Sequence, residues 1–390
     1  MFNALTANNH VISLLTNDVG PLPPGPYYCP VCRREVRYKN GSLRHPHFAH
    51  KIEEACHGQS EPESEDHLQA KLQLYEWLKR HQIQPNLERY YPSIRRRADL
   101  SFHVKGQHFV IEYQAADVSV QECAARTSDY RRLLIEPIWV WSSKRRRSFK
   151  HGEYSIHQSE WSTMRDTPSG RLIVLTYLDT AARSLQFLYP HATTSLSRSK
   201  ASVEPYALAS AFPSLLLQPP EPSFFLSVSK PQWLYQKQKW RFGRNHWRGK
   251  RDTAYLRSMF ASNRSDIPFF PAEAGWPHLG MEALVSPPYV WQSWMLLYLQ
   301  EHTKINQTFP ASFVRHALSM CIEQGIFTER PFLYLPNRKE VMLEHYFHEL
   351  KKVQLLIKER THWKWGRPLY IPNSLNEAYE RDKYWADRIW

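Results

Sequence analysis

Two β-like runs that meet at Lys105-Gly106 constrain the fold of this chain more than any other feature. They cover residues 98–104 and 107–114, and a Lys-Gly step suits a tight two-residue hairpin turn. In that register the apolar side chains pair across the hairpin, Phe102 with Phe109 and Leu100 with Ile111. These pairs share one face, so the register explains the hydrophobic pattern on its own.

The same register places Asp99 opposite Glu112 on the other face, with Gln114 beside them. Directly opposed Cβ atoms lie about 5 Å apart, and like charges at that distance destabilise a sheet. A bound Mg2+ or Mn2+ would offset the repulsion, because such ions take carboxylate oxygens, and it could act on a phosphodiester. The alternative is a pair of solvated carboxylates, one of them bound to a neighbouring arginine. The hairpin alone leaves both interpretations open.

The segments around the hairpin predict the order α-β-β-β-α-β. Residues 63–71 begin an amphipathic helix with Ser64 as its N-cap, and acidic residues there are favoured by the helix dipole in any case. Residues 120–134 are typical of a second helix, and residues 138–141 of a buried strand.

A Cys/His cluster near the start of the chain predicts a structural zinc site. Two cysteines separated by two residues can hold one zinc ion from a tight turn, and a later His or Cys completes the tetrahedron. We expect the ligands to be Cys29, Cys32, His50 and Cys56, with His47 as the alternate. The competing interpretation is a pair of free cysteines in a small β unit. An odd total of five cysteines favours metal binding in a reducing compartment, so we expect a cytoplasmic protein.

The charge balance favours a polyanionic partner. The chain carries 51 Lys and Arg against 37 Asp and Glu, a net charge of +14. Its strongest apolar segment, residues 290–299, is too short to span a bilayer, and residues 1–16 lack the features of a signal peptide. We therefore expect no membrane span.

Basic and aromatic residues alternate over residues 230–251, a pattern that fits a track for single-stranded DNA. A partner-docking surface is the competing interpretation. We expect DNA contacts in this track from Lys237, Lys239, Trp240, Arg241, Arg244, Trp247 and Arg248. A second basic run lies beside the acidic pair and could hold phosphates, or form an ordinary solvated surface; it consists of Arg95, Arg96 and Arg97.

Taken together, these motifs resemble the competence protein CoiA family, whose central domain belongs to the PD-(D/E)xK nuclease superfamily. The residues that carry the resemblance are Cys29-Pro30-x-Cys32, His47-Phe48-Ala49-His50, Glu63-Ser64-x-x-His67-x-x-x-Lys71, Leu87-Glu88, Arg96-Arg97-Ala98-Asp99, Ile111-Glu112-Tyr113-Gln114, Arg126 with Tyr130, and Ile138-Trp139-Val140. The resemblance implies a role in natural transformation, in which incoming single-stranded DNA is recombined into the chromosome. The implied partners are single-stranded or branched DNA, a RecA-type recombinase and other competence proteins.

The resemblance also implies which side chains form the site. Asp99 and Glu112 take the places of the metal-binding acids, and Glu63 fits the helix carboxylate that completes such a site for Mg2+ or Mn2+. Gln114 stands where the superfamily usually has its catalytic lysine.

Glutamine cannot act as a cation or a general base, although it can orient a water molecule. The positive charge would then come from Lys71 or Arg97. His67 lies one turn beyond Glu63 and would orient a water or a phosphate, or serve a structural role.

We therefore expect an α+β multidomain chain. Residues 1–58 form a small zinc-binding β unit, residues 59–150 a restriction-endonuclease-like αβββαβ core, and residues 160–390 a mainly helical region. In the last region we predict helices at 290–302 and 311–324 and a strand at 332–335. That order resembles a winged helix over 288–336, although core packing would give the same pattern.

The leading function is that of a metal-dependent DNA-processing nuclease. The rival is a catalytically silent DNA-binding accessory of a recombinase, and a protein-binding adaptor is a third class.

Overall fold

The computed structural model describes residues 1–15, 22–41, 45–50, 64–223, 228–243 and 250–389. Five residues with a predicted role lie outside these ranges, namely Cys56, Glu63, Arg244, Trp247 and Arg248.

The N-terminal unit is a small antiparallel sheet in the order β2-β1-β3-β4-β5. Its strands are β1 (Asn3–Leu5), β2 (Val11–Ser13), β3 (Tyr27–Tyr28), β4 (Glu35–Lys39) and β5 (His47–His50). Met1, Ala4, Val36 and Phe48 pack together beneath it. The sheet is small, so its buried apolar area alone gives limited stability, and a metal site would add to it.

The central domain begins with the predicted α-β-β-β-α-β order, into which a short two-stranded ribbon is inserted. The elements are α1 (Glu65–Arg80), β6 (Asn86–Leu87), the ribbon β7 (Tyr90–Tyr91) and β8 (Arg96–Arg97), β9 (Leu100–Val104), β10 (Gln107–Gln114), α2 (Val120–Arg132) and β11 (Ile135–Ser142). Helix α1 starts where predicted, because the Ser64 hydroxyl accepts a hydrogen bond from the His67 amide at 3.2 Å.

The predicted hairpin register is confirmed. Phe102 pairs with Phe109 and Leu100 with Ile111. Lys105 and Gly106 form the turn with φ values of 50° and 80°, which suit a two-residue hairpin turn. Strand β11 then runs parallel to β10. Helix α1 covers the apolar face of the hairpin, and α2 covers the other face.

The central sheet continues well beyond residue 150, where the predicted core ended. The added elements are β12 (Arg147–Phe149), β13 (Glu153–Ser155), α3 (Gln158–Ser162), β14 (Arg165–Asp166), β15 (Ile173–Asp179), β16 (Ser184–Ser195), β17 (Arg198–Ala207) and α4 (Ser214–Leu217). The sheet runs β12-β13-β17-β16-β15-β11-β10-β9-β6, and β14 pairs with β15. The region from residue 160 is therefore not mainly helical at its start. Strand β15 is buried on both faces, which removes the alternation that would have marked it.

The C-terminal region is mainly helical from residue 230 onward. Its elements are α5 (Lys230–Phe242), α6 (Arg251–Ser262), α7 (Pro288–His302), β18 (Phe309–Pro310), α8 (Ala311–Glu323), α9 (Arg338–Lys352), β19 (Leu356–Glu359), β20 (His362–Trp365) and α10 (Leu375–Ile389). Helix α7 is buried along most of its length and forms the centre of this core. In the described part of the chain, no helix combines the length and apolar character needed to cross a bilayer.

The strand predicted at 332–335 is not formed. This segment docks on the central domain instead: the Leu333 amide donates to the Ser162 carbonyl at 2.9 Å, and the Tyr334 hydroxyl donates to the Pro137 carbonyl at 2.8 Å. Its apolar side chains pack around Trp161. The run of four apolar residues that suggested a strand reflects this docking.

Candidate active site and zinc centre

The acidic pair lies at the open end of the β9–β10 hairpin. Asp99 directly precedes β9, and Glu112 is the residue of β10 that follows the last ladder pair, Leu100 with Ile111. Both carboxylates are buried, with 8% and 3% of each residue exposed. The structure therefore brings together the two acids that the register predicted.

Asp99 is held by the helix on one side and by the backbone on the other. Its Oδ1 lies 2.9 Å from Nε2 of His67, and its Oδ2 accepts a hydrogen bond from the Tyr113 amide at 2.9 Å. The His67 ring also makes an edge contact with the Tyr113 ring, at 5.4 Å between centroids. The predicted partner on α1 thus touches the acid directly.

Glu112 is held by side chains of α2. Its Oε1 accepts from the Tyr130 hydroxyl at 2.6 Å, and its Oε2 accepts from Nη1 of Arg126 at 3.1 Å. The Arg126 Nε donates to Glu122 at 2.8 Å. Glu122, Arg126 and Tyr130 are spaced four residues apart, so they share one face of α2. That spacing was the available signal for these supporting residues.

The electrostatics of the site favour a proton or a cation beside the two acids. Burial raises the pKa of the Glu112 carboxyl; the Arg126 charge opposes this, the Asp99 charge adds to it, and the net shift is upward. Glu112 in turn raises the pKa of Arg126, which holds its charge firmly, and burial beside Glu112 raises the pKa of Tyr130. A proton or a cation at this point relieves the repulsion between the two acids.

The donor set fits a hard divalent cation. Asp99 and Glu112 supply carboxylate oxygens, and Mg2+ commonly binds one or two carboxylates while it keeps several waters. In the described ranges no third acidic side chain joins these two within ligand distance of one ion, and the predicted third acid, Glu63, lies outside them.

The other predicted members of the site lie in different environments. The Gln114 side chain donates to the Ala116 carbonyl at 3.1 Å. Lys71 is fully buried, and its Nζ lies 2.5 Å from Glu88, whose other oxygen accepts the Phe2 amide at 2.9 Å. Lys71 therefore links α1 to the N-terminal unit.

The basic run before the hairpin divides into two kinds of residue. Arg96 pairs with Asp129 and with Glu122, each at 2.8 Å, so its guanidinium is part of the α2 network. Arg95 is exposed and Arg97 half-buried, and both lie beside the acids in sequence.

Another buried carboxylate of this domain, Asp66, was not predicted to have a role. It accepts hydrogen bonds from the hydroxyls of Tyr113, Ser142 and Thr180 at 2.6–2.7 Å, and Lys144 pairs with it at 2.8 Å. Burial opposes ionisation, but these four donors together lower the pKa of Asp66 to about 2. The sequence held no signal for this site, because its partners come from distant strands and loops.

Three residues of the predicted DNA track are instead part of the C-terminal core. Lys237, Trp240 and Arg241 are at most 1% exposed. Arg241 makes a bidentate pair with Asp382 at 2.7 and 2.8 Å, and Lys237 pairs with the same carboxylate at 2.8 Å. Side chains sealed in this way cannot contact a phosphate or stack on a base, so this prediction was wrong for these three. Lys239 is exposed beside the Tyr235 ring.

The N-terminal unit brings three predicted zinc ligands together. The ligand atoms of Cys29, Cys32 and His50 lie within 4.8 Å of one another, and the Cys32 sulfur lies 3.2 Å from the His50 Nε2. The Val31 amide points at the Cys29 sulfur at 3.4 Å, a contact that stabilises a thiolate. The alternate ligand, His47, turns its Nδ1 to the His45 carbonyl at 2.7 Å. Two thiolates and an imidazole are a donor set typical of zinc.

Comparison with known proteins gives the same family that the sequence motifs resemble. Three sequence profiles match consecutive parts of the chain: the competence protein CoiA N-terminal domain over residues 23–59, its nuclease-like domain over 63–221 and its C-terminal domain over 228–377. The chain belongs to the competence protein CoiA family. Competence protein CoiA of Bacillus subtilis (strain 168) is 29% identical over 276 residues, which cover 70% of this chain and 72% of that protein. No solved structure gives a significant match.

The nuclease-like profile ends at residue 221, close to the end of the extended central sheet. The acidic pair, α1, α2 and the strands up to β17 therefore all belong to this nuclease-like domain, and the sealed Arg241 cluster belongs to the C-terminal domain.

Proposed function

We propose that this CoiA-family protein is a cytoplasmic, metal-dependent deoxyribonuclease that acts in natural transformation. It processes single-stranded or branched DNA and promotes recombination of incoming strands with a RecA-type recombinase and other competence proteins. The observation that carries the proposal is the buried pair Asp99 and Glu112 at the open end of the hairpin in the nuclease-like domain.

In this proposal, Asp99 and Glu112 hold Mg2+ or Mn2+, with Glu63 as a further ligand. The ion supplies charge stabilisation for the phosphate and an acidified water. His67, fixed at 2.9 Å from Asp99, orients the acid or a bound water, and Arg126 and Tyr130 fix the Glu112 carboxylate. Gln114 orients a water, and Arg97 supplies positive charge near the site. Lys71, by contrast, is buried against Glu88 and holds α1 to the N-terminal unit.

The zinc proposal is separate and structural. Cys29, Cys32 and His50 hold zinc with Cys56 as the fourth ligand, so the tetrahedron has no open position for a substrate. The ion stabilises the N-terminal sheet, which contacts the central domain through Phe2 and Glu88.

Wild type and Asp99→Asn should be compared on single-stranded, duplex and branched DNA with Mg2+ and with Mn2+. Asparagine keeps the shape of the side chain but removes the charge that holds the ion, so cleavage should fall at least about a hundredfold. Asp117→Asn, an exposed carboxylate in the same domain, is the matched control and should cleave like wild type. Undiminished cleavage by pure, folded Asp99→Asn would refute the proposal.

A second function, that of a non-catalytic DNA-binding accessory, is favoured by one specific observation. Both oxygens of Glu112 already accept hydrogen bonds from Tyr130 and Arg126, and the Gln114 amide is bound to a backbone carbonyl. This function predicts no metal-dependent cleavage of any of the three substrates by the wild type, with DNA affinity intact.

A further inference from the structure

The C-terminal domain contains a unit whose element order had been predicted only in part. Helix α7, strand β18, helices α8 and α9 and the hairpin β19–β20 follow one another, and β18 pairs with β20 to close a three-stranded sheet. A helical pair followed by a hairpin that projects beside the second helix resembles the winged-helix arrangement. In helix-turn-helix proteins the second helix of the pair enters the major groove of a duplex.

Helix α9 occupies the position of that second helix, but its charge does not suit a major groove. Glu344 is exposed, and Glu340 and Glu349 are half-buried along the same helix. Arg338 is buried against Glu282 at 2.5 Å and is not available to a ligand. Carboxylates along this helix would repel phosphates.

The hairpin next to α9 has the opposite charge. Residues 351–367 carry six Lys or Arg and one acidic residue, Glu359, which pairs with Lys364. Lys352 at the end of α9 pairs with Glu349. Three other exposed cations at the end of α9 and on the hairpin form no ion pair with a carboxylate of the described residues; they are Lys351, Lys358 and Arg360. We call residues 351–367 the basic wing.

A groove of about 820 Å³ extends the basic wing toward α10. Lys352 and Arg367 line it from the wing, and Arg381 and Arg388 line it from the helix. Glu377 and Glu380 also line it, so cations outnumber acids there by four to two. Lys352 pairs with Glu349 and Arg367 with Glu273, so Arg381 and Arg388 are the cations that extend the positive charge of the wing along α10.

The aromatic residues of this surface are either buried or covered on one face by a guanidinium. Trp363 and Trp365 are 4% and 5% exposed and hold the hairpin onto the core. The Tyr370 ring lies under the Arg381 guanidinium at 3.9 Å, and the Tyr384 ring under that of Arg388 at 3.6 Å. Single-strand tracks rely on open rings for base stacking, whereas a duplex presents a dense array of phosphates that requires only positive charge.

We infer that the basic wing is a binding site for duplex DNA, contacted through its phosphates and distinct from the acidic pair of the nuclease-like domain. The inference rests on the proposed function only in taking DNA as the partner. Binding through the wing would anchor the chain on a duplex while the nuclease-like domain acts on an adjoining strand.

The test is duplex binding by the full, zinc-loaded chain in a buffer that contains no chelator and no added Mg2+ or Mn2+. The structural metal then stays in place while cleavage is blocked. The test variant is Lys358→Gln with Arg360→Asn, which removes two cations. Arg360 has φ 54°, a conformation that asparagine tolerates. The matched control is Arg80→Gln with Arg183→Asn, which removes two exposed cations of the nuclease-like domain, one of them also at positive φ, 49°.

The wing variant should bind a 20-base-pair duplex about tenfold more weakly than wild type at 100 mM salt. The slope of log K against log salt should fall by about 1.8, since each phosphate contact contributes about 0.9. The control pair should bind the duplex like wild type, and both variants should melt at the wild-type temperature.

Equal loss in the wing and control variants would overturn the inference, because it would show a response to net charge alone. Unchanged duplex binding by the wing variant would overturn it as well. A failure of the nuclease proposal is read separately, from Mg2+-dependent cleavage in the Asp99→Asn experiment.

Discussion

Two buried charge networks of this protein have opposite composition. In the nuclease-like domain, Asp99 and Glu112 lie together with Arg126 as the cation that touches Glu112. In the C-terminal domain, Lys237 and Arg241 share one acid, Asp382. The first network has an excess of carboxylates and the second an excess of cations.

The two networks also differ in how their excess charge is stabilised. Carbonyls of Ala272, Pro268 and Phe270 accept hydrogen bonds from the two C-terminal cations, and these side chains are sealed from solvent. In the nuclease-like domain, by contrast, the side chains of His67 and Arg126 are 18% and 27% exposed. A sealed and fully bonded network is structural, whereas a buried acidic pair that reaches solvent is suited to bind a cation from solution.

The largest expected effect is on stability, from Asp382→Asn. This change leaves two buried cations without their carboxylate, and removal of one member of a buried ion pair costs about 3–5 kcal/mol. Denaturant unfolding measures the loss. The control, Asp387→Asn, removes an exposed partner of Lys230 and should cost less than about 1 kcal/mol. Similar losses in the two variants would show that the C-terminal network is not sealed.

The next largest effect concerns Asp66 of the nuclease-like domain. Like Asp382, this buried carboxylate is held by several donors and has a structural role. The Asp66 pKa is about 2 in the folded chain, below its ordinary value of 3.8, so its ionised form stabilises the fold by about 2 kcal/mol at neutral pH. This contribution is complete above about pH 4 and is lost as the pH falls toward 2. Asp66→Asn should therefore be less stable than wild type at pH 7, and the difference should shrink on acidification. A difference independent of pH would contradict the assignment.

The smallest expected effect comes from removing the hydrogen bond that Tyr130 donates to Glu112. Tyr130→Phe removes a hydrogen bond that lowers the Glu112 pKa, so the carboxyl should protonate at a higher pH and the acidic limb of Mn2+-dependent cleavage should move upward. Stability should fall by about 1 kcal/mol. Tyr91→Phe removes a buried hydroxyl bonded to Ser101 in the same cluster and should lower stability without moving the pH profile. A profile that moves equally in both variants would contradict the role of Tyr130.

The sequence was sufficient to predict the elements that position the site. Alternation of apolar residues around Lys105-Gly106 set the hairpin register, and the cap at Ser64 set the start of α1. Both are local signals. Arg126 and Tyr130 entered only as residues that carry the family resemblance. Nothing in the sequence assigned them to Glu112, because the packing of α2 against the hairpin depends on the parallel strand β11.

The C-terminal track shows why charge patterns are harder to interpret. Trp233, Lys237, Trp240 and Arg241 recur at the spacing of one helix face, which is typical of a buried stripe. Two of these residues are basic, which suggested an exposed surface. The acid that neutralises them, Asp382, was not recognised because it lies 141 residues from Arg241 in the sequence. A distant partner of this kind cannot be inferred from a single sequence.

The central claim is that Asp99 and Glu112 hold a divalent cation. Its most direct test is to measure Mn2+ binding to the zinc-loaded protein by titration calorimetry. Wild type should bind Mn2+ in competition with Mg2+, and Asp99→Asn should weaken this binding at least about a hundredfold. Asp66→Asn, which alters a neighbouring carboxylate already saturated by donors, should bind Mn2+ like wild type. Mn2+ binding of equal affinity in wild type and Asp99→Asn would contradict the account.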